Sequence, residues 1–136
     1  MTMKLDWTAV IIGFVVTIAL GILSGLVYAG TDASVAVLYW GTIGILGGLT
    51  AGYFSGGSAG NGAYNGGVAT VLGSLIVLVI AAFTTLLFGG LVASAGVVFV
   101  GVLILAFYAI PGAVGGAVGA WYRSQRTAEE TMETRA

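Results

Sequence analysis

The chain contains no cysteine, no histidine and a single proline, and it carries only four basic and five acidic side chains in 136 residues. Without cysteine there are no disulfides, no thiolate chemistry and no Cys-ligated zinc. Without histidine there is no imidazole ligand and no side chain that titrates near neutral pH unperturbed. Four cations are too few to neutralise a run of phosphates, so a nucleic-acid partner is not expected. No metal or cofactor is expected either.

The shortage of charge is the most restrictive of these features. Charged residues make up 7 % of the chain, against about 25 % in a soluble domain. They sit at Lys4, Asp6 and Asp32 and in the last fourteen residues. The apolar runs between them hold none. A run of roughly 18 or more uncharged apolar residues is long enough to cross a bilayer as a helix. Barrel strands would alternate apolar and polar residues over about ten positions, and these runs do not alternate. The pattern predicts an all-α membrane protein with four transmembrane helices, at about 7–28, 35–54, 67–88 and 96–122. Residues 1–126 then form one transmembrane domain and 127–136 a polar cytoplasmic tail, expected to be frayed.

Val27-Tyr28-Ala29 has the small-residue look of a signal-peptide cleavage site. The apolar stretch before it exceeds the roughly 7–15 residues of an h-region, and Lys4 alone is a weak n-region. The first span is therefore expected to be retained. Lys4 precedes it, and Arg123 and Arg126 follow the fourth. By the positive-inside rule both termini are cytoplasmic. The expected outer turns are Ala29–Ser34 and a short one from Gly89-Gly90 to about Ser94. The expected inner turn is the uncharged stretch Ser55–Gly66.

The chain also repeats itself at half its length. Gly44, Gly47, Gly48 and Tyr53-Phe54 in the second span correspond to Gly112, Gly115, Gly116 and Trp121-Tyr122 in the fourth. Two tandem helical hairpins in a parallel internal repeat are expected, related by an axis along the membrane normal. Gly44, Gly48, Gly52 and Gly56 recur every fourth residue and fall on one helix face. Gly112/Gly116, Gly115/Gly119 and Gly21/Gly25 repeat the spacing. Lipid is as apolar as leucine, so helices associate in it through small residues that let backbones touch. These glycines are expected either to pack helices within one chain or to form a seam between copies.

Little in the sequence suggests chemistry. No Asp, Glu, Lys, Arg or His lies within a span, as proton relays and coupled transporters require. Ser24, Thr42, Ser74, Thr84 and Thr85 have no base beside them and are expected to bond their own helix backbone. Ser55–Gly66 looks like a phosphate loop but lacks its Gly-Lys-Ser/Thr ending. It reads as a turn, or as a polar mouth in which Asn61 and Asn65 make the contacts. Pro111 frees one helical carbonyl and with Gly112 is a candidate hinge.

The segment Gly47–Gly73, GGLTAGYFSGGS followed by NGAYNGGVATVLG, resembles a family of small glycine-rich, four-helix haloarchaeal membrane proteins of unknown function. The resemblance implies an archaeal plasma membrane and supplies no site residues. The expectation is a non-enzymatic, multi-pass plasma-membrane protein. It would be a structural or accessory subunit that self-associates through its glycine faces or meets a heterologous membrane partner. The alternative is a small oligomeric pore for ions or neutral solutes.

Overall fold

A computed structural model describes residues 2–27 and 33–135, with side chains for 2–23 and 41–135. Tyr28, Asp32 and most of the expected turn Ala29–Ser34 lie outside the described residues, as do the side chain of Ser24 and the surroundings of Gly25. Apart from residues 2–6 and 56–58 the described chain is helical, in three elements: α1 (Trp7–Val27), α2 (Ala33–Ser55) and α3 (Ala59–Arg135).

Each visible boundary has a local cause. Asp6 caps α1: its carboxylate accepts the amides of Thr8 at 3.0 Å and Ala9 at 3.3 Å, which otherwise lack intrahelical partners. At the end of α2, Gly56 and Gly57 take φ of 62° and 87°, the left-handed conformation that stops a helix and suits glycine. Arg123 donates to the terminal carbonyls of Tyr53 and Phe54 at 3.1 and 3.0 Å, placing a cation where the helix dipole is negative.

α3 is 77 residues long but is not one rod. Gly90 alone within it is non-helical, at φ 82° and ψ 177°, a region open essentially to glycine only. The chain doubles back there. The Ser94 hydroxyl donates to the Ala82 carbonyl at 2.8 Å, and Leu78 lies against Gly101. α3 therefore has two antiparallel limbs, 59–89 and 91–135. The turn expected to run from Gly89 to Ser94 is confined to Gly90.

Two other expectations differ from the structure. The inner turn is three residues long, Gly56–Ser58, and helix resumes at Ala59. Asn61 and Asn65 are therefore helical rather than loop residues. Glycine propensity argues for a loop, but tertiary packing overrides it, because Gly62 and Gly66 are pressed against another limb. The tail is likewise helical through Arg135. Thr127 and Thr131 bond back to the carbonyls four residues earlier. Arg126 lies 5.0 Å over the Tyr122 ring and donates to its hydroxyl, which raises the guanidinium pKa further.

The helices share a common direction in pairs. α1 runs parallel to the 59–89 limb, since Asp6 meets Asn65 and Thr17 meets Gly73. α2 runs antiparallel to α1 and parallel to the 91–135 limb, since Gly48 meets Gly112 and Gly52 meets Gly116.

Candidate functional site: a glycine junction and the cavity above it

Three helical segments converge chiefly backbone to backbone. A methyl group at Gly48 would collide with the Gly112 carbonyl, and one at Gly52 with the Gly116 carbonyl. On the same limb, Gly115 lies against the carbonyl of Ile45 and Gly119 against that of Leu49. From the third segment, Gly62 abuts the Gly116 carbonyl, and a methyl at Gly66 would fall 2.5 Å from the Gly112 oxygen and 3.0 Å from the Gly48 oxygen. Each close approach needs the absence of a Cβ on one side and a carbonyl on the other. α1 adds a fourth contact, with a methyl at Gly13 falling 2.6 Å from Ala51 Cβ and 2.7 Å from the Gly47 oxygen.

The ladder glycines are not equivalent. Gly48, Gly52, Gly112, Gly115, Gly116 and Gly119 are all in the junction. Gly44 lies at its edge, where an added Cβ would meet Thr70 Cγ2 at an ordinary 3.4 Å. Gly56 is outside it, serving the α2 end and facing Arg123. Pro111 sits in an unbroken helix, beside Gly44 and next to Gly112 in the junction.

Polar groups at the junction are engaged. The fully buried Thr70 hydroxyl donates to the Gly66 carbonyl at 2.9 Å and approaches that of Gly44 at 3.3 Å. Asn65 is 0 % exposed. Its oxygen accepts the Asp6 amide at 2.8 Å, and its nitrogen donates to the carbonyls of Lys4 at 3.1 Å and Asn61 at 2.9 Å. Asn61 accepts the Lys4 amide at 3.2 Å. The two asparagines thus strap residues 4–6 onto the start of α3. Among the described residues no group of three or more His, Asp or Glu side chains could hold a metal.

Above the junction lies a cavity of about 350 Å³, walled by α1, α2 and both limbs of α3. Thr17, Gly44 and Thr70 form its junction end; Ile22, Ile80 and Ala81 mark the far end. Its lining is almost wholly apolar.

The model of a family of unknown function, DUF5518, matches residues 7–122. The chain belongs to this family. No curated protein and no solved structure matches the chain. The DUF5518 match takes in every junction glycine and the whole cavity, and it ends at Tyr122, before the exposed tail helix.

Sequence reasoning missed Gly62, Gly66 and Thr70 as junction residues. The four-residue spacing Gly62–Gly66–Thr70 is visible in the chain, but it runs into a stretch whose composition reads as a turn. Gly13 and Thr17 carry the same spacing on α1 and were equally open to notice.

Proposed function

We propose that this DUF5518 chain is a non-enzymatic, multi-pass membrane protein. Its four transmembrane helices are α1, α2 and the two limbs of α3, arranged as two tandem hairpins with cytoplasmic termini. The observation that carries this reading is the inverted partition of side chains. Among the described residues the buried positions are mainly Gly and Ala with Thr17, Asn65, Thr70 and Ser94. The exterior carries Val79, Phe83, Phe99 and Phe107, and Phe88 and Val92 are each 88 % exposed. In water that arrangement is unfavourable, because burial of large apolar side chains drives folding there. In lipid it is favourable, because small residues make the helix contacts.

Length agrees. α1 has 21 residues and α2 has 23, or about 31 and 35 Å at 1.5 Å per residue, close to the hydrocarbon thickness. α3 is long and apolar enough to cross a membrane. The parallel pairing of α2 with the 91–135 limb, and of α1 with the 59–89 limb, supports a tandem repeat. Trp7, Tyr53, Trp121 and Tyr122 gather at the end that carries Lys4 and Arg123, as an interfacial aromatic belt would. The acidic, lysine-poor tail suits an archaeal plasma membrane.

Within that membrane the role is structural or accessory. Its support is the closed junction: backbone meets backbone along the bundle, the hydroxyls of Thr17, Thr70 and Ser74 donate to main-chain carbonyls, and no charged side chain is buried among the described residues. Such a core favours a scaffold over a conduit through the single chain. Because the ladder glycines are already in contact within one chain, self-association or a heterologous membrane partner engages the large apolar exterior.

Single-cysteine variants test the arrangement directly, since the chain has no native cysteine. Ser58→Cys is expected to react with an impermeant maleimide only in inverted vesicles, and Leu91→Cys only in intact cells. Labelling of both from one side overturns the four-span topology. Native mass spectrometry from lipid then reads self-association: a single mass of two or more chains supports it, and a monomer restricts the role to a heterologous partner.

A further inference from the structure

Gly21, in the body of α1, does not behave like the junction glycines. A methyl group there would have no heavy atom of the described residues within 4 Å, whereas one at Gly48 or Gly116 would strike a carbonyl. Glycine weakens a helix relative to alanine, and at this position it leaves open space among the described residues. The open space is the cavity of about 350 Å³ above the junction.

The chemistry of its walls selects the occupant. The Thr17 hydroxyl bonds the Gly13 carbonyl, that of Thr70 the Gly66 and Gly44 carbonyls, and that of Ser74 the Thr70 carbonyl. A buried water needs about two to four polar partners, and an apolar cavity of about 150 Å³ already binds a small hydrocarbon. This cavity is more than twice that size, and its walls are chiefly Ile18, Ile22, Ile43, Ile76, Val77 and Ile80. Ile22, Ile76 and Ile80 are also exposed on the outer surface. They make a rim shared by α1 and the 59–89 limb, on the surface that the membrane reading gives to lipid. Among the described residues no charged side chain lines the cavity, so a charged headgroup meets no counter-charge inside.

We propose that the cavity holds one hydrocarbon chain of a bilayer lipid. The chain enters between Ile22 and Ile80, passes Gly21, and ends on the floor made by Thr70 and Gly44. The headgroup stays outside. The inference rests on the membrane reading above.

The test is lipid retention. Full-length protein is reconstituted in vesicles of dioleoylphosphatidylglycerol, extracted in mild detergent and weighed by native mass spectrometry. Wild type is expected to keep one phospholipid per chain. Gly21→Leu fills the cavity from α1 and should lower retention at least tenfold, with the thermal unfolding temperature in lipid-free detergent unchanged or raised. Ala81→Phe fills it from the opposite limb and decides the matter if Gly21→Leu fails to fold. Gly96→Leu, which also faces open space but lies away from the cavity, should retain lipid like wild type. Equal retention in wild type and a folded cavity-filling variant overturns the proposal, as does a wild type that keeps no lipid or keeps only detergent. Failure of the membrane reading itself looks different: the chain would then be absent from the membrane fraction before any extraction.

Discussion

The two ends of the α3 hairpin are held together in opposite ways. At the end away from Gly90, Gly62 and Gly66 meet Gly112 and Gly116 backbone to backbone, and α2 closes on the same point through Gly48 and Gly52. Near Gly90, the limbs meet through side chains, among them the Ser94 hydroxyl on the Ala82 carbonyl and Leu78 over Gly101. Between residues 75 and 108 only Ser94 is buried. The end away from Gly90 thus gains dispersion and Cα–H···O contact by deleting side chains, while the Gly90 end keeps its side chains and turns them outward. Where lipid matches leucine in polarity, tight association tracks the absence of side chains rather than their size.

The widest separation of the two ends is expected from matched substitutions. Gly116→Leu drives a side chain into the Gly62 carbonyl, and overpacking of this kind costs about 1–3 kcal/mol and occasionally more. Here the obstacle is backbone, so the upper end of that range or loss of the folded species is expected in a detergent thermal-unfolding assay. Gly96→Leu meets nothing within 4 Å and should stay within about 0.5 kcal/mol of wild type, as surface substitutions do. Equal effects at the two sites would erase the distinction between the ends. Next in size is Gly90→Ala. Its φ and ψ are open essentially to glycine, and holding another residue there costs about 1–3 kcal/mol. The readout is the same unfolding assay, together with increased proteolysis near residue 90.

How far the sequence foretold this follows the same division. The charge pattern alone marks α1 from Trp7 and implies helices throughout, because an uncharged apolar run needs no tertiary information to be recognised. Glycine spacing singled out Gly44, Gly48, Gly52 and Gly56 and Gly112, Gly115, Gly116 and Gly119, since a period of four on one helix is local; Gly44 and Gly56 stand outside the closest contacts. The inner turn was not legible. Gly56-Gly57-Ser58 and Gly60-Asn61-Gly62 each combine two glycines with one small polar residue, yet the first breaks the helix and the second belongs to it. The difference lies in what they face: Gly62 has a limb 54 residues away in sequence against it, at Gly116. Asn65 was read as a loop contact for the same reason. Besides the Asn61 carbonyl one turn earlier, its partners are main-chain atoms of residues 4 and 6, and no local pattern records those. The cavity beside Gly21 is equally non-local, since its walls come from every helical segment.

Smaller effects sharpen the comparison within the junction itself. Thr70→Val keeps the shape and removes a hydroxyl that spans Gly66 and Gly44. Hydrogen bonds between transmembrane helices average about 0.6 kcal/mol, so a loss of about 0.5–1.5 kcal/mol is expected, with no change in oligomeric mass. A loss above about 3 kcal/mol would mean that side-chain bonding rather than backbone contact holds the junction.

The smallest change, and the one most specific to this geometry, is at Gly44. It belongs to the same four-residue ladder as Gly48 and Gly52, so a ladder acting as a uniform seam predicts equal damage from alanine at all three. The structure predicts otherwise. At Gly48 and Gly52 the added methyl strikes a carbonyl, and at Gly44 it makes ordinary contact with Thr70 at 3.4 Å. Alanine also favours the helix over glycine by about 1 kcal/mol in water. Gly44→Ala is therefore expected to be neutral or to stabilise by up to about 1 kcal/mol, while Gly48→Ala and Gly52→Ala destabilise. Thermal unfolding of the three single variants in one detergent checks the order. If Gly44→Ala is as damaging as the other two, position 44 faces a partner that the single chain does not supply, and the ladder continues into an interface between chains.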